Sequence, residues 1–573
     1  MESIYKIDAV KSKEKSLFFI SALFIFLTFT FISCQEDFLD LTPKDSYTEA
    51  TVFDDPVLTE AFLNYAYRMV PHGFQEVSGI LPLACVCDEG HAKGQVARTG
   101  PILLGNQTPS NMFSLDVWTG RGLSLEDDYY ARNYKSYWIP IKQCNEFLEK
   151  TIGSKIEETL LTRMTGEAKT IRAYSYFRLI CHYGGVPLIT EPFTLDDNFK
   201  IPRNTYDEVM NFVISELDEA IDMLPLDYDA ENMGRLTKGA AMAIKARALL
   251  FYASPLNNPS NDMTRWQKAS DAAKAVIDLN KYELYPDYKE LFTEKGGYNS
   301  EVIWGRPFKH ILNYEVYLER RLYPNGSMGH GHCPPIQNLV DDYEMLSGKL
   351  PKNDPDYDPQ NPYVNRDPRF YATIAYDGAP FLGRNLETFI PGGLDSFESP
   401  ISSWNASETG YNMRKFITDD PIVDIGSGNT NPLWLWFRYA EVLLNYAEAE
   451  YFLGDEVTAR QYLNMVRSRP GVNMPPVTEG GQALFDRIVN ERRIELAFEE
   501  HRFFDVRRWK IATTVLSISH KRIYITKDLV TGKKTYEIKE HLPCHFNEWN
   551  YLSPIPLEEI EKNDLLVQNP GYN

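Results

Sequence analysis

The sequence predicts a mainly α-helical protein in which helical hairpins pack against a loop-rich, irregular region with a few short strands. Three observations predict it. Apolar residues recur at helical spacing in windows 57–70, 133–151, 157–182, 205–224, 235–253, 266–279, 436–453, 456–468 and 482–502. Two long segments, near 71–132 and 296–435, lack such a period and are rich in Gly, Pro, Asn and aromatic residues. Extended runs are short, such as Glu301-Val302-Ile303-Trp304.

The first element is a leader. Lys6, Lys11, Lys13 and Lys15 precede an apolar run, Leu17 to Ile32, which stops at Ser33-Cys34. A basic start, an apolar middle and a small residue before the break form a bacterial export signal. Phe31-Ile32-Ser33-Cys34 reads as a lipobox, in which the Cys34 thiol is acylated and becomes the new N-terminus. The switch to Gln35-Glu36-Asp37 behind a lone Cys favours a lipoprotein over an uncleaved membrane helix. Residues 1–33 are then a signal peptide, 34–56 a lipidated tether and 57–573 the folded domain. Asp54-Asp55-Pro56 opens its first helix.

In 205–224, Val209, Phe212, Val213, Leu217, Ala220, Ile221 and Leu224 share one helix face. In 235–253, Ala240, Ala243, Ala246, Ala248 and Ala253 are small enough for neighbouring helices to approach closely. Ala447, Tyr451, Gly454, Ala459, Leu463, Val466 and Pro470 fall at the spacing of a tetratricopeptide unit, with Gly454-Asp455 as its turn. Ala173-x-x-x-Phe177 is a weaker echo. An ordinary helical hairpin has the same packing needs, and recurrence of hairpins favours the repeat.

The net charge of −21 disfavours nucleic acid and an anionic membrane surface as partners. Six cysteines besides Cys34 are too sparse for a disulfide framework in an exported chain of 573 residues. Cys85-Val86-Cys87-Asp88-Glu89-Gly90-His91, His330-Gly331-His332-Cys333 and His541-x-x-Cys544-His545 hold ligand-type residues, but each is an incomplete set for a metal. They read as half-buried or polar loop residues, so no metal or cofactor is expected. There is no G-x-S-x-G elbow, H-E-x-x-H helix, Walker loop or G-x-G-x-x-G. Carboxylate pairs such as Asp127-Asp128, Asp341-Asp342 and Glu499-Glu500 are expected among 80 acidic residues and read as solvated faces or helix ends. Catalysis is not predicted.

The aromatic residues of the irregular segments are more informative. Trp118, Tyr129, Tyr130, Tyr314, Tyr317, Tyr323 and Trp404 lie in polar, turn-rich sequence. A sugar presents C–H groups on its faces and hydroxyls at its edge. A flat ring covers the face, and Asp, Asn, Arg or His takes the hydroxyls.

The chain resembles the SusD/RagB family of glycan-binding surface lipoproteins over nearly its whole mature length. The resemblance starts at Cys34-Gln35-Glu36-Asp37-Phe38-Leu39-Asp40 and continues through Gly166-Glu167-Ala168 and Tyr183-Gly184-Gly185-Val186-Pro187-Leu188. It includes Leu339-Val340-Asp341-Asp342-Tyr343-Glu344-Met345, Arg366-Asp367-Pro368-Arg369 and Arg438-Tyr439-Ala440-Glu441-Val442-Leu443-Leu444. Most specific are Glu491-Arg492-Arg493-Ile494-Glu495-Leu496-Ala497-Phe498-Glu499 and Arg502-Phe503-Phe504-Asp505-Val506-Arg507-Arg508-Trp509.

The resemblance implies tetratricopeptide-like helix pairs, attachment to the outer membrane facing out, and a TonB-dependent transporter barrel of the SusC type as partner. It implies binding of oligosaccharide or polysaccharide without cleavage. It also implies that the Arg residues of the 491–509 motif are buried or capping partners for Glu491, Glu495 and Asp505, and that ligand contacts come from the variable loops. Position in those loops nominates Asp88, Trp118, Tyr323, His330 and His332. Two other readings stay open: an anchored glycoside hydrolase, and a protein-binding scaffold of the transporter complex.

Overall fold

The computed structural model describes residues 49–74, 83–93, 96–111, 136–308, 318–419 and 430–572. They fall into two compact units. In the smaller, Glu49–Asp54 is helical and Lys155 Nζ lies 2.6 Å from Asp54. The tether expected from the sequence thus ends in a short helix. Asp55 then caps α1 (Pro56–Met69), its Oδ1 accepting from the Val57 and Leu58 N–H groups at 2.9 Å.

The larger unit carries a stack of helices: α2 (Trp138–Lys150), α3 (Glu158–Tyr183), α4 (Tyr206–Met223), α5 (Lys238–Ala253) and α6 (Met263–Asp278). After a long excursion come α7 (Tyr439–Leu453), α8 (Glu456–Arg467), α9 (Gly481–Glu495) and α10 (Arg502–Arg508). From α2 to α8 each helix packs on the next, and α7 returns onto α6. The pairs α3–α4, α5–α6 and α7–α8 are tetratricopeptide-like hairpins.

Local chemistry sets their ends. Thr205 and Glu208 form a reciprocal capping box at the start of α4, with the Glu208 N–H donating to Thr205 Oγ1 at 3.2 Å. Gly454 closes α7 with φ of 89°, a left-handed turn that a Cβ would strain. Asp455 caps α8, its Oδ1 accepting from the Thr458 N–H at 3.0 Å. Ala459, fully buried, lets α8 lie close against α7. The small residues of α5, Ala240 through Ala253, are buried in the same way.

A two-stranded sheet closes the excursion. β1 (Val302–Pro307) pairs antiparallel with β2 (Leu433–Arg438), with Gly305 opposite Leu435. Every residue of β2 is buried, and Trp304 stacks on Trp436 at 4.2 Å. Each large apolar side chain so buried contributes about 1.5–3 kcal/mol. The helical window expected from residue 436 therefore begins at 439, because 436–438 belong to β2.

The window expected over 482–502 also breaks. α9 stops at Glu495, and Phe498 (φ 64°) and Glu500 (φ 63°) turn the chain before α10. A hairpin that the helical reading passed over, β3 (His520–Lys527) with β4 (Lys534–Leu542), follows. The first irregular segment is less of a loop than expected. Residues 83–92 are buried, and Gly90 bridges to Pro335.

The family motifs converge on one buried charge network. Arg438 lies 2.7 Å from each of Glu301, Glu495 and Glu499. Arg369 contacts Asp367 at 2.8 Å and Glu495 at 2.9 Å, and pairs with Glu491. Arg467 joins Glu491 at 2.7 Å to Glu344 at 2.9 Å. Arg508 reaches Asp505 at 2.8 Å and pairs with Glu448. Asp505 also takes Arg492 at 3.2 Å. Burial pushes the Glu495 carboxyl up, but Arg469, Arg438 and Arg369 outweigh it and hold it well below the ordinary range. Glu499, expected on a solvated face, is instead buried between Arg438 and Lys415.

Candidate functional site

The loop after a short helix at Leu318–Leu322 and the loop around Ser403–Asn405 lie against each other. Asn325 Nδ2 donates to the Ile401 carbonyl at 3.0 Å, and Arg384 bridges Ser327 Oγ at 3.0 Å to Asp395 at 2.7 Å. Gly331 is needed at the contact: its φ is 56°, and a Cβ there would meet the Asn405 carbonyl at 2.8 Å. The result sets His330 and His332, both half-buried, beside the segment that carries Trp404. The Trp404 ring is 78% exposed.

Burial and the charges of Arg321, Arg320 and Lys93 lower the His330 pKa to about 4. Burial, Arg321, His330 and Lys93 lower that of His332 to about 3. Both imidazoles are neutral at pH 7, each offering one donor and one acceptor. Lys93 Nζ donates to the His330 carbonyl at 2.9 Å and holds the loop from below. An exposed flat ring and neutral donors and acceptors on adjoining loops suit a sugar, whose face is apolar and whose rim is polar.

The other nominated residues fare differently. Asp88 is buried, 2.9 Å from both Arg493 and Arg502. Burial raises its pKa, but those two guanidiniums hold it well below the usual carboxylate range. Tyr323 is fully buried; its ring meets Phe381 edge-on at 5.1 Å and its hydroxyl donates to the Thr418 carbonyl. Neither presents a face to a ligand, and both belong to the scaffold beneath the loops. Trp118 and Cys34 lie outside the described residues, as do Tyr129, Tyr130, Tyr314 and Tyr317.

Sequence reasoning named Trp404 among the loop aromatics but did not nominate it. Its signal was legible: a lone large ring in Ser402-Ser403-Trp404-Asn405-Ala406-Ser407, with no apolar neighbour to pack against. Lys93 and Glu408 carried no such signal, since their roles arise from contacts distant in sequence. Two clefts elsewhere, of about 330 and 410 Å³, share Asn232 to Arg235. Their Trp304, Trp436 and Tyr282 rings are 0%, 7% and 8% exposed, and their Tyr67, Tyr228 and Tyr298 are half-buried.

A family model described as the SusD family matches residues 293–572, and one described as "Starch-binding associating with outer membrane" matches residues 102–250. A SusD-like protein of Formosa agariphila is 33% identical over 442 residues, covering 73% of this chain and 75% of its own. The crystal structure of a SusD-like protein from Bacteroides fragilis matches with a TM-score of 0.76 at 28% identity, covering 91% of this chain and 98% of its own. A second B. fragilis structure, described as a SusD-like carbohydrate-binding protein, matches at 0.76 and 27% identity, covering 90% and 100%. The expectation of a binding protein rather than an enzyme agrees with that description. Family model, relative, fold and motif network coincide, and the chain belongs to the SusD family.

Proposed function

We propose that the protein is a surface glycan-binding lipoprotein. Anchored through acylated Cys34 to the outer membrane, it captures oligosaccharides and passes them to a TonB-dependent transporter of the SusC type. One observation carries the binding reading: the exposed Trp404 ring on a loop whose backbone lies against the loop of neutral His330 and His332. The similar B. fragilis carbohydrate-binding protein supports carbohydrate as the ligand class, and the family matched over residues 102–250 supports the outer membrane as the place. Among the described residues no helix is long and apolar enough to cross a membrane.

Calorimetry against a panel of neutral oligosaccharides tests the site. Affinity is expected between micromolar and millimolar, about 4–8 kcal/mol. Trp404→Ala is expected to weaken it about tenfold and Trp404→Phe to retain most of it. No reducing sugar is released. Binding unchanged in Trp404→Ala combined with Trp118→Ala overturns the site; no binding across the panel overturns the function. Loss of lipid labelling in Cys34→Ser and co-purification of a barrel transporter with the wild type check the anchor and the hand-over.

A further inference from the structure

Three ligand-type side chains from separate segments meet at one point. His91 follows the buried turn at Gly90, Glu408 lies on the loop that carries Trp404, and His541 is on β4. We propose that His91, Glu408 and His541 bind one divalent transition-metal ion of the zinc class. His91 Nε2 lies 2.7 Å from Glu408 Oε2 and 3.4 Å from His541 Nε2, and His541 Nε2 lies 3.9 Å from Glu408 Oε2. Donor atoms about 2.0–2.1 Å from a tetrahedral ion stand about 3.3–3.4 Å apart, and the observed separations bracket that value.

A proton serves this cluster poorly. One proton on His91 Nε2 satisfies the short contact to Glu408. Among the described residues, His541 Nε2 then has only the long approach to the His91 nitrogen. A divalent ion at the common point uses all three lone pairs at once. The donors are also held in place. His91 is 1% exposed, and its N–H donates to the Pro334 carbonyl at 2.9 Å. Thr409, next to Glu408, accepts from the Ile523 N–H at 3.0 Å. His541 sits where the β3–β4 register shifts, between the pairs His520–Leu542 and Lys521–Glu540. Such support fixes ligand positions before the ion arrives.

The donor set selects the metal. Two imidazoles and a carboxylate suit zinc and its transition-metal neighbours, whereas calcium takes six to eight oxygens. The Glu408 and His541 side chains are 29% and 14% exposed, which leaves solvent a path to a fourth position. The acidic chain attracts cations. Lys93, a nearby cation along with Arg522, turns its ammonium to the His330 carbonyl. The ion would staple residues 91, 408 and 541, and so brace the Trp404 loop from behind. Metal binding itself does not depend on the glycan reading.

The test uses the chelator-stripped mature chain and zinc chloride. Dialysis with elemental analysis is expected to give one retained equivalent, zinc is expected to raise Tm, and X-ray absorption to show nitrogen and oxygen neighbours at about 2.0 Å. His541→Ala and Glu408→Gln are each expected to weaken zinc binding at least tenfold while the metal-free Tm stays near that of the wild type. His545→Ala, on an exposed histidine, is expected to change nothing. Equal zinc affinity in both site variants, or no zinc retained by the wild type at micromolar concentration, overturns the proposal.

A second pair is independent of this site. Cys85 and Cys333, 3% and 2% exposed, place their sulfurs 3.1 Å apart. We infer that they close to a disulfide when the chain meets a disulfide oxidant. Each thiol gives up a proton, and the pair gives two electrons to the oxidant's disulfide, which leaves as two thiols. The sulfurs need approach by only about 1 Å to reach bonding distance. Purified chain treated with oxidised glutathione, denatured, alkylated and digested without reductant is expected to yield a cross-linked peptide pair containing Cys85 and Cys333. Recovery of both as alkylated thiols overturns the inference.

Discussion

Arg438 sets one guanidinium among Glu301, Glu495 and Glu499, with all four groups out of solvent. Arginine fits because its planar fork can donate in several directions at once and stays charged. Removing it takes one cation from three buried carboxylates, which keep only Arg369, Arg469 and Lys415. Arg438→Met is expected to destabilise the fold by about 3–5 kcal/mol in chemical denaturation. Arg438→Lys is expected to recover only part, since a point charge cannot reach all three acids in plane. This role was legible in outline: the Arg and Glu residues of the motifs read as buried partners rather than ligand contacts. The pairing was not. Glu491 and Glu495 take Arg369, Arg438, Arg467 and Arg469 from distant segments, and sequence separation hides which charge meets which.

The helices show what periodicity reads well. The α7–α8 hairpin followed from Ala447, Tyr451, Gly454 and Ala459 because one turn and one close crossing fix its geometry. Ala459→Leu is expected to cost about 1–3 kcal/mol by overpacking, and Gly454→Ala about 1 kcal/mol by straining the left-handed cap, both read by thermal denaturation. Periodicity failed where another interaction took the backbone. Residues 436–438 pair with β1, and after Glu495 the Phe498 N–H donates to Glu89 Oε1 at 3.2 Å instead of continuing α9. The β3–β4 hairpin escaped because its outer face is charged and its strands alternate too weakly to stand out beside the helices. The Gly-rich loop of His330 and His332 was legible as a turn-rich segment, and both side chains lie half-buried in it. Asp88 and Tyr323 were not placed correctly, because position in a variable segment says nothing about which way a side chain turns.

For the whole molecule, the network dictates a response to pH. Glu491, Glu495, Glu499 and Asp505 are held below their ordinary pKa values by the neighbouring Arg and Lys charges, against burial. The unfolded chain therefore takes up protons first as pH falls. The stability these groups provide is full above about pH 4.5 and is lost progressively below it. Glu500 has the opposite sign: burial, only partly offset by Arg178, pushes its pKa up to about 7. The native state then holds a proton that the unfolded chain releases between pH 4.5 and 7, so its contribution falls across that window and levels off above it. His182, His330, His332, His501, His520 and His541 are held neutral, so the unfolded chain protonates before them and stability also rises up to about pH 6.5. Denaturation across pH 3 to 8 is expected to show a steep rise to about pH 4.5 and a shallower one to about pH 6.5, and Glu500→Gln is expected to steepen the second rise.

The loop-rich excursion is bolted to α9 through Arg369, which meets Glu491 and Glu495, and Glu344, which meets Arg487, so its surface is cast before any ligand arrives. A visiting saccharide has little backbone to freeze and little rearrangement to drive. Weak attachment then reflects a small footprint rather than a tax on ordering, and release is correspondingly quick. A receptor of that kind serves traffic better than storage.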